Sequence, residues 1–298
     1  MRLVTRADLD GLTCAVLLGS CETVDAIELV NPQDVADRRF SVGPEDILAN
    51  LPYHPGCGLW FDNHQITDPR AMPPSGFRGR YGVAPSAARV VYGEYLPRHP
   101  DLARYERLVA ETDRLDSAQL SLSDVVSPEG YVLLGFTLDA RTGFGNLREY
   151  FLQLLPAVRD LPLAQVLELP EVRERARLMR EQDQRFREVA LAHSRLDHNV
   201  VVTDFRGVTP LPIGNRFLIF TLFPGANVAV RLQRGLQPGT VSLSAGRSIF
   251  DRSCHANLAV LLSLHGGGGH AGAAACVVPE GQADSRLAEI VAALKRNA

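Results

Sequence analysis

A chain of 298 residues is longer than one hydrophobic core ordinarily fills, and at ~150 residues per domain it predicts two. Hydrophobic residues at 46% and charged residues at 22% exclude wholesale disorder. Lys plus Arg number 31 against 34 Asp plus Glu, a formal net charge of −3, which excludes a large basic surface gripping nucleic acid but not a short nucleic acid in a small cationic pocket. The cysteines Cys14, Cys21, Cys57, Cys254 and Cys276 are odd in number and form no Cys-x-x-Cys pair. They read as reduced thiols of a cytoplasmic protein, not as a disulfide framework or a zinc site. No apolar stretch has signal-peptide or transmembrane character, so the expectation is a soluble chain without a membrane partner.

Arg2 to Thr5 predicts a strand, followed by Asp8-Leu9-Asp10-Gly11 and an apolar helix from Leu12 to Leu18. Ile27 to Val30 predicts the next strand, and Gly58 to Phe61 a buried strand ending at Asp62. Helices are expected from Pro85 to Tyr95 and from Leu102 to Leu115. This alternation predicts an α/β fold with a parallel sheet, whose ligands bind beyond the carboxyl ends of the strands. Asp8, Asp10, Asp62 and His64 fall there.

From Glu171 to His193 a charged helix keeps Val172, Ala176, Met179, Phe186 and Ala190 on one stripe. Its six Arg and five Asp or Glu between Glu171 and Glu188 nearly cancel, the pattern of a solvated connector. Beyond it, Asn199 to Asp204, Phe217 to Leu222, Asn227 to Leu232 and Thr240 to Ser244 predict strands. A helix from Ala256 to Leu264, a strand from Ala274 to Val278 and a last helix bearing Ala283, Leu287, Ile290, Val291 and Leu294 complete a smaller mixed α/β domain.

Two carboxylates at a strand-to-helix turn, Asp8 and Asp10, suit a hard divalent cation such as Mg²⁺ or Mn²⁺; Asp10 as N-cap of the next helix is the plainer reading. Asp62-Asn63-His64 suits a metal or phosphate site, or a simple turn. Asp113 and Asp116 lie one helical turn apart and can complete a carboxylate cluster or sit exposed at a helix end. In the second half, Arg247 is placed for a bidentate phosphate contact or a surface ion pair. The run Gly266-Gly267-Gly268-Gly269-His270 reads either as a flexible turn or as a nest of backbone N–H groups for an anion.

In this order the motifs resemble the DHH family of phosphoesterases, in the subgroup with a DHH-associated C-terminal domain. Thr5-Arg6-Ala7-Asp8-Leu9-Asp10-Gly11 looks like its His-x-Asp-x-Asp motif, and Asp62-Asn63-His64 stands where the Asp-His-His triplet belongs. Gly266 to His270 followed by Ala271-Gly272-Ala273-Ala274 is similar to the glycine-rich signature, and Arg247-Ser248 to the Arg-Ser element. The resemblance implies a DHH-like domain over residues 1–170, a linker helix over 171–196 and a substrate-binding domain over 197–298, with a cleft between the domains. It implies hydrolysis of a small phosphorylated substrate (nucleotide, short oligonucleotide or polyphosphate) assisted by one or two Mn²⁺ or Mg²⁺ ions. Asp8, Asp10, Asp62 and Asp113 (or Asp116) are the implied metal ligands. Asp62, His64 and Arg6 are the implied catalytic residues, and Arg247, Gly267, Gly268, Gly269 and His270 the implied substrate contacts. Family members often form homodimers. Three expected ligands are changed: Arg6 and Asn63 stand at histidine positions, and Asn50 stands where a bridging aspartate is expected. The alternative is therefore a non-catalytic phosphate- or nucleotide-binding homologue that has lost the two-metal centre.

Overall fold

Short strands, buried at the centre of the sheet and partly exposed at its two edges, set the architecture of the N-terminal half. In the computed structural model, which describes residues 1–66, 71–139, 145–211 and 213–296, these are β1 (Arg2–Thr5), β2 (Ala26–Leu29), β3 (Asp46–Ala49), β4 (Leu59–Asp62) and β5 (Gly79–Tyr81). All pair in parallel, in the order β2-β1-β3-β4-β5. Buried on both faces, the central β1, β3 and β4 read as largely continuous apolar runs rather than alternating ones. Leu3, Ile47, Ala49, Leu59 and Phe61 face a core shared with the helices α1 (Leu9–Cys21), α3 (Ala87–Tyr95), α4 (Glu106–Asp116), α6 (Gly130–Thr137), α7 (Leu147–Asp160) and α8 (Leu163–Leu167). Val4, Leu48 and Trp60 face the other way. They are covered by Val35 of the short α2 (Pro32–Ala36) and by loop residues such as Phe40, Tyr53 and Phe77.

Helix α1 is the central element of this half. Its residues from Leu9 to Leu18 are all buried, so it is enclosed around its whole circumference. The parallel order then places the carboxyl ends of β1, β3 and β4, followed by Arg6–Asp8, Asn50 and Asp62–His64, along one edge of the sheet.

The chain divides into two compact units, Met1–Gln119 with Pro128–Leu178, and Leu120–Ser127 with Met179–Ala298. The division runs inside α9 (Pro170–His193), within the span 171–196 expected as the linker. Leu120–Ser127, which the sequence reading keeps within residues 1–170, groups with the second unit instead. This segment carries α5 (Leu122–Val126), whose Val125 is fully buried, and Arg187 of α9 donates to its Val126 carbonyl at 3.2 Å.

The second unit is a six-stranded mixed sheet: β6 (Ser194–Asp197), β7 (Val200–Asp204), β8 (Val228–Arg234), β9 (Thr240–Arg247), β10 (Gly268–His270) and β11 (Ala273–Pro279), in the order β10-β11-β9-β8-β7-β6. Only β7 and β8 pair in parallel. The connection between them contains α10 (Leu218–Leu222), where the sequence predicts a strand. An apolar run this short carries no decisive period. Asn215 starts the helix, its carbonyl and side chain accepting from the N–H groups of Leu218 and Phe217. Helices α11 (Leu258–Ser263) and α12 (Ala283–Lys295) close the core over Val202, Val230, Leu243 and Cys276.

One polar pair locks the first sheet. Arg2 and Asp46 are register partners on β1 and β3, joined by Nε–Oδ1 at 2.8 Å and Nη2–Oδ2 at 2.6 Å, and the Gly43 N–H adds a bond at 2.8 Å. Burial pushes the Asp46 carboxyl up, but Arg2 and the Gly43 N–H outweigh it and hold it below its ordinary value. Its contribution to stability is therefore present above about pH 3.9 and is lost as pH falls through the lowered value. Asp46→Asn is expected to cost roughly 1–2 kcal/mol at neutral pH by urea denaturation, with the difference vanishing in acid.

Candidate active site

The strand β1 ends at Thr5, and the next turn presents Arg6 and Asp8. Asp8, not Asp10, is the N-cap of α1: its φ is −145° and its Oδ1 accepts from the Gly11 N–H at 2.8 Å. Two further groups hold the same carboxylate, the Asn50 amide at 3.0 Å and the Arg6 Nε at 3.2 Å. Asp10, in the first turn of α1, caps a different helix. Its two oxygens accept from the N–H groups of Ala87 and Ala88, the first residues of α3, at 2.9 and 2.8 Å. A carboxylate is well placed at a helix N-terminus, where four N–H groups lack partners.

Asn50 follows β3 in a left-handed conformation (φ 59°), the region where asparagine is tolerated best after glycine. Asp62 closes β4 and is 2% exposed, and its Oδ1 lies 2.8 Å from the His64 Nδ1. Burial pushes the Asp62 carboxyl up despite His64, while the hydrogen bond to Asp62 raises the His64 imidazole to about 8. The Asn63 amide donates to the Ala84 carbonyl at 3.0 Å and also helps to hold the Asp116 carboxylate.

The two aspartates of α4 do different things. Asp113 accepts from the Ser86 hydroxyl at 2.6 Å and pairs with Arg89 at 2.7 Å, so both its oxygens are committed to α3. Asp116 is the member that joins the cluster. It is open to solvent, yet the protein around it, followed by the charge of Asp8, pushes its carboxyl to about 6. Asp10 is raised in turn by its own burial, then by Asp116 and Asp8. The hydroxyls of Thr13 and Thr112 meet at 2.8 Å and tie α4 to α1, and with Asp113 they fix where Asp116 emerges.

Among the described residues no three His, Cys, Asp or Glu side chains gather into a ready cation cage. The donor set nevertheless fits a hard cation. The charges of Asp8 and Asp116 bear on Asp10 and that of Asp8 on Asp116, Asp62 stands buried beside His64, and the buried Oδ1 atoms of Asn50 and Asn63 have no hydrogen-bond partner. Carboxylate and amide oxygens are the ligands that Mg²⁺ and Mn²⁺ take.

In the second unit the glycine run is structured, and it is neither a flexible turn nor a closed nest. The N–H of Gly267 bonds the Leu262 carbonyl and that of Gly266 the Ser263 carbonyl, with Gly266 at φ 76°: a Schellman ending for α11. Gly268 to His270 then form the exposed edge strand β10 against β11. A Cβ on Gly267 would lie 2.2 Å from the Ala275 carbonyl oxygen, and one on Gly269 2.5 Å from that of Ala273. A Cβ on Gly268 would meet nothing within 4 Å. Three of the four glycines are thus explained by the fold, and Gly268 is not. It begins a row of directly opposed residues, Gly268, Ala275, Ser244 and Arg231, across four strands. Arg247 holds the loop ahead of α11, its Nε bonding the Ala256 carbonyl at 2.9 Å and its Nη2 the carbonyls of His255 and Ala256.

No family model matches the sequence, and no curated protein is similar to it. Solved structures are. A "pGpG-specific phosphodiesterase", PggH from Vibrio cholerae, is 33% identical over 100% of this chain and 99% of its own, with a TM-score of 0.85. The chain belongs to the DHH family of phosphoesterases. Two further DHH-family structures share the fold at 15% identity. RecJ with Mn²⁺ from Thermus thermophilus matches 99% of this chain and 52% of its own (TM-score 0.61). An exonuclease RecJ bound to manganese matches 99% and 90% (TM-score 0.58). This DHH chain has a parallel α/β unit and a mixed α/β unit, as the resemblance implied.

The structure brings Asp8, Asp10, Asp62, His64 and Arg6 to one edge of the sheet with Asp116 beside them, and ties Asp113 to Ser86 and Arg89. Sequence reasoning passes over the hydroxyl contacts that steer α4; the pairing of Asp113 with Arg89, twenty-four residues away, leaves no local signal. In metal-free protein the His64 ring is expected to titrate near 8 by NMR and to move toward 6.5 in Asp62→Asn. Because its pKa is raised, the stabilisation from that contact is complete below about pH 6.5 and fades as pH rises through 8. Gly267→Ala is expected to cost about 1–3 kcal/mol in thermal melts, whereas Gly268→Ala leaves the melt unchanged.

Proposed function

We propose that this DHH protein is a divalent-metal-dependent phosphodiesterase of short linear dinucleotides of the pGpG kind. The observation that carries the reading is the group of mutually repelling carboxylates around Asp10, set beside two unpartnered amide oxygens, in a chain that aligns end to end with PggH. Asp8, Asp10, Asp62 and Asp116 would hold the ion, with Asn50 and Asn63 as neutral oxygen donors. Such an ion supplies Lewis acidity toward the phosphoryl oxygens and lowers the pKa of a bound water.

The remaining roles fall to this chain's own groups. Asp62 orients His64 through Nδ1 and leaves Nε2 to donate a proton or hydrogen bond to the phosphoryl group or the leaving oxygen. Arg6 spends its Nε on Asp8 and keeps its other donors for phosphate. We also assign substrate contacts to the second unit. There Gly267 to His270 present an edge strand with a side-chain-free position at Gly268, and Arg247 stiffens the loop behind it. Five unpaired cysteines fit a reducing cytoplasm, and no helix among the described residues is long and apolar enough to cross a membrane.

One observation favours the non-catalytic reading. Arg6 pairs with Asp8 where the family pattern has a histidine, so one carboxylate already has a cation. Hydrolysis assays with Mn²⁺ on pGpG, other dinucleotides, pyrophosphate and polyphosphate separate the two. Turnover of pGpG that disappears with EDTA and in Asp62→Ala is expected. Dinucleotide binding that survives EDTA, with no turnover above the Asp62→Ala control, would establish the binding-only homologue instead. Gly268→Ala is expected to raise KM or Kd for the dinucleotide without changing the melting temperature.

A further inference from the structure

The loop that carries His64 is held from the far face of the sheet. Tyr81 on β5 is the register partner of Asp62, and its ring stacks on Trp60, with centroids 5.2 Å apart and planes 13° from parallel. The Tyr81 hydroxyl donates to the His64 carbonyl at 3.1 Å and accepts from the Ile66 N–H at 3.4 Å. Trp60 cannot shift to follow it. The indole is fully buried, its Nε1–H donates to the Leu51 carbonyl at 2.8 Å, and the rings of Tyr53 and Phe77 abut its edges. Close approach at Gly79 (φ 112°), where a Cβ would lie 2.1 Å from the Trp60 carbonyl oxygen, keeps β5 pressed against β4.

We propose that Tyr81 is a positioning residue for the reaction: its hydroxyl, seated by the stack on Trp60, fixes the backbone of His64 and so keeps the imidazole on Asp62. This rests on the phosphodiesterase reading for its kinetic consequence but not for its structural one. The imidazole itself is half open to solvent and has Asp62 as its only hydrogen-bond partner among the described residues. Without the bond at its carbonyl, the short loop from Asn63 to Ile66 loses its link to β5. The same aromatic pair serves a second turn. The Leu51 carbonyl that Trp60 holds directly follows Asn50, whose amide steadies Asp8.

Two substitutions separate positioning from plain packing. Tyr81→Phe keeps the stack and removes only the hydroxyl; Phe77→Leu weakens packing on Trp60 and Tyr53 and leaves the Tyr81 hydroxyl in place. Crystal structures of both metal-free variants and steady-state kinetics with Mn²⁺ and pGpG supply the readouts. In Tyr81→Phe the His64 ring is expected to leave hydrogen-bonding distance of Asp62. Its kcat is expected to fall about 10- to 100-fold with KM little changed and the melting temperature within about 4 °C of wild type. Phe77→Leu is expected to melt lower while His64 stays on Asp62 and kcat is retained. A Tyr81→Phe structure with His64 still on Asp62, or equal displacement of His64 in both variants, would overturn the proposal. If the wild type does not turn over pGpG, the functional reading fails on that result and the two crystal structures alone decide the role of Tyr81.

Discussion

Everything at the sheet edge depends on one carboxylate holding the start of a helix that is not its own. Asp10 sits on α1 and satisfies the first N–H groups of α3, so a buried negative charge is stabilised by oriented backbone dipoles rather than by a counter-ion. That arrangement leaves its charge uncancelled. The charges of Asp116 and Asp8 add to burial in raising Asp10, and Asp8 adds to burial in raising Asp116, so both carboxyls favour a proton or a cation. A residue without an acceptor at position 10 would remove both the tie between helices and one of the converging carboxylates, which links the fold and the chemistry through a single side chain.

Much of this was legible in the sequence. The aspartates at positions 8, 10 and 62 announce themselves because each follows a short apolar run that can only be a buried strand or its turn. The choice between Asp113 and Asp116 was not legible, since both lie on one face of α4. It is made by Ser86 and Arg89, which capture Asp113 from a helix far away in sequence. Asp8 and Asp10 exchange capping roles for a related reason: composition marks a cap, but only the packing of α1 against α3 shows which helix each one serves. Strands β3 and β5 also escape notice, being four and three residues long. The run from Phe217 to Leu222 shows the complementary failure, where apolar composition without a period points to a strand and an asparagine turn makes a helix.

The glycine run shows how a motif can be recognised while its physics is misread. Four glycines suggest backbone freedom, yet three are demanded by a helix ending and by the closeness of β11. Recognition signatures mix residues required by the fold with residues required by a ligand. Here steric contact sorts them, and it singles out Gly268 as the member with no structural employment.

The grouping of Leu120–Ser127 with the second unit has a practical meaning for divisibility. The chain passes between its units at three points, near residues 119, 127 and 178. A fragment ending at residue 178 would carry α5 without its cover, and a fragment beginning at 179 would leave the place of the fully buried Val125 empty. The two units are therefore separable as geometry but not as gene fragments: removing either one deprives the other of a piece of its own core or leaves it an orphaned helix.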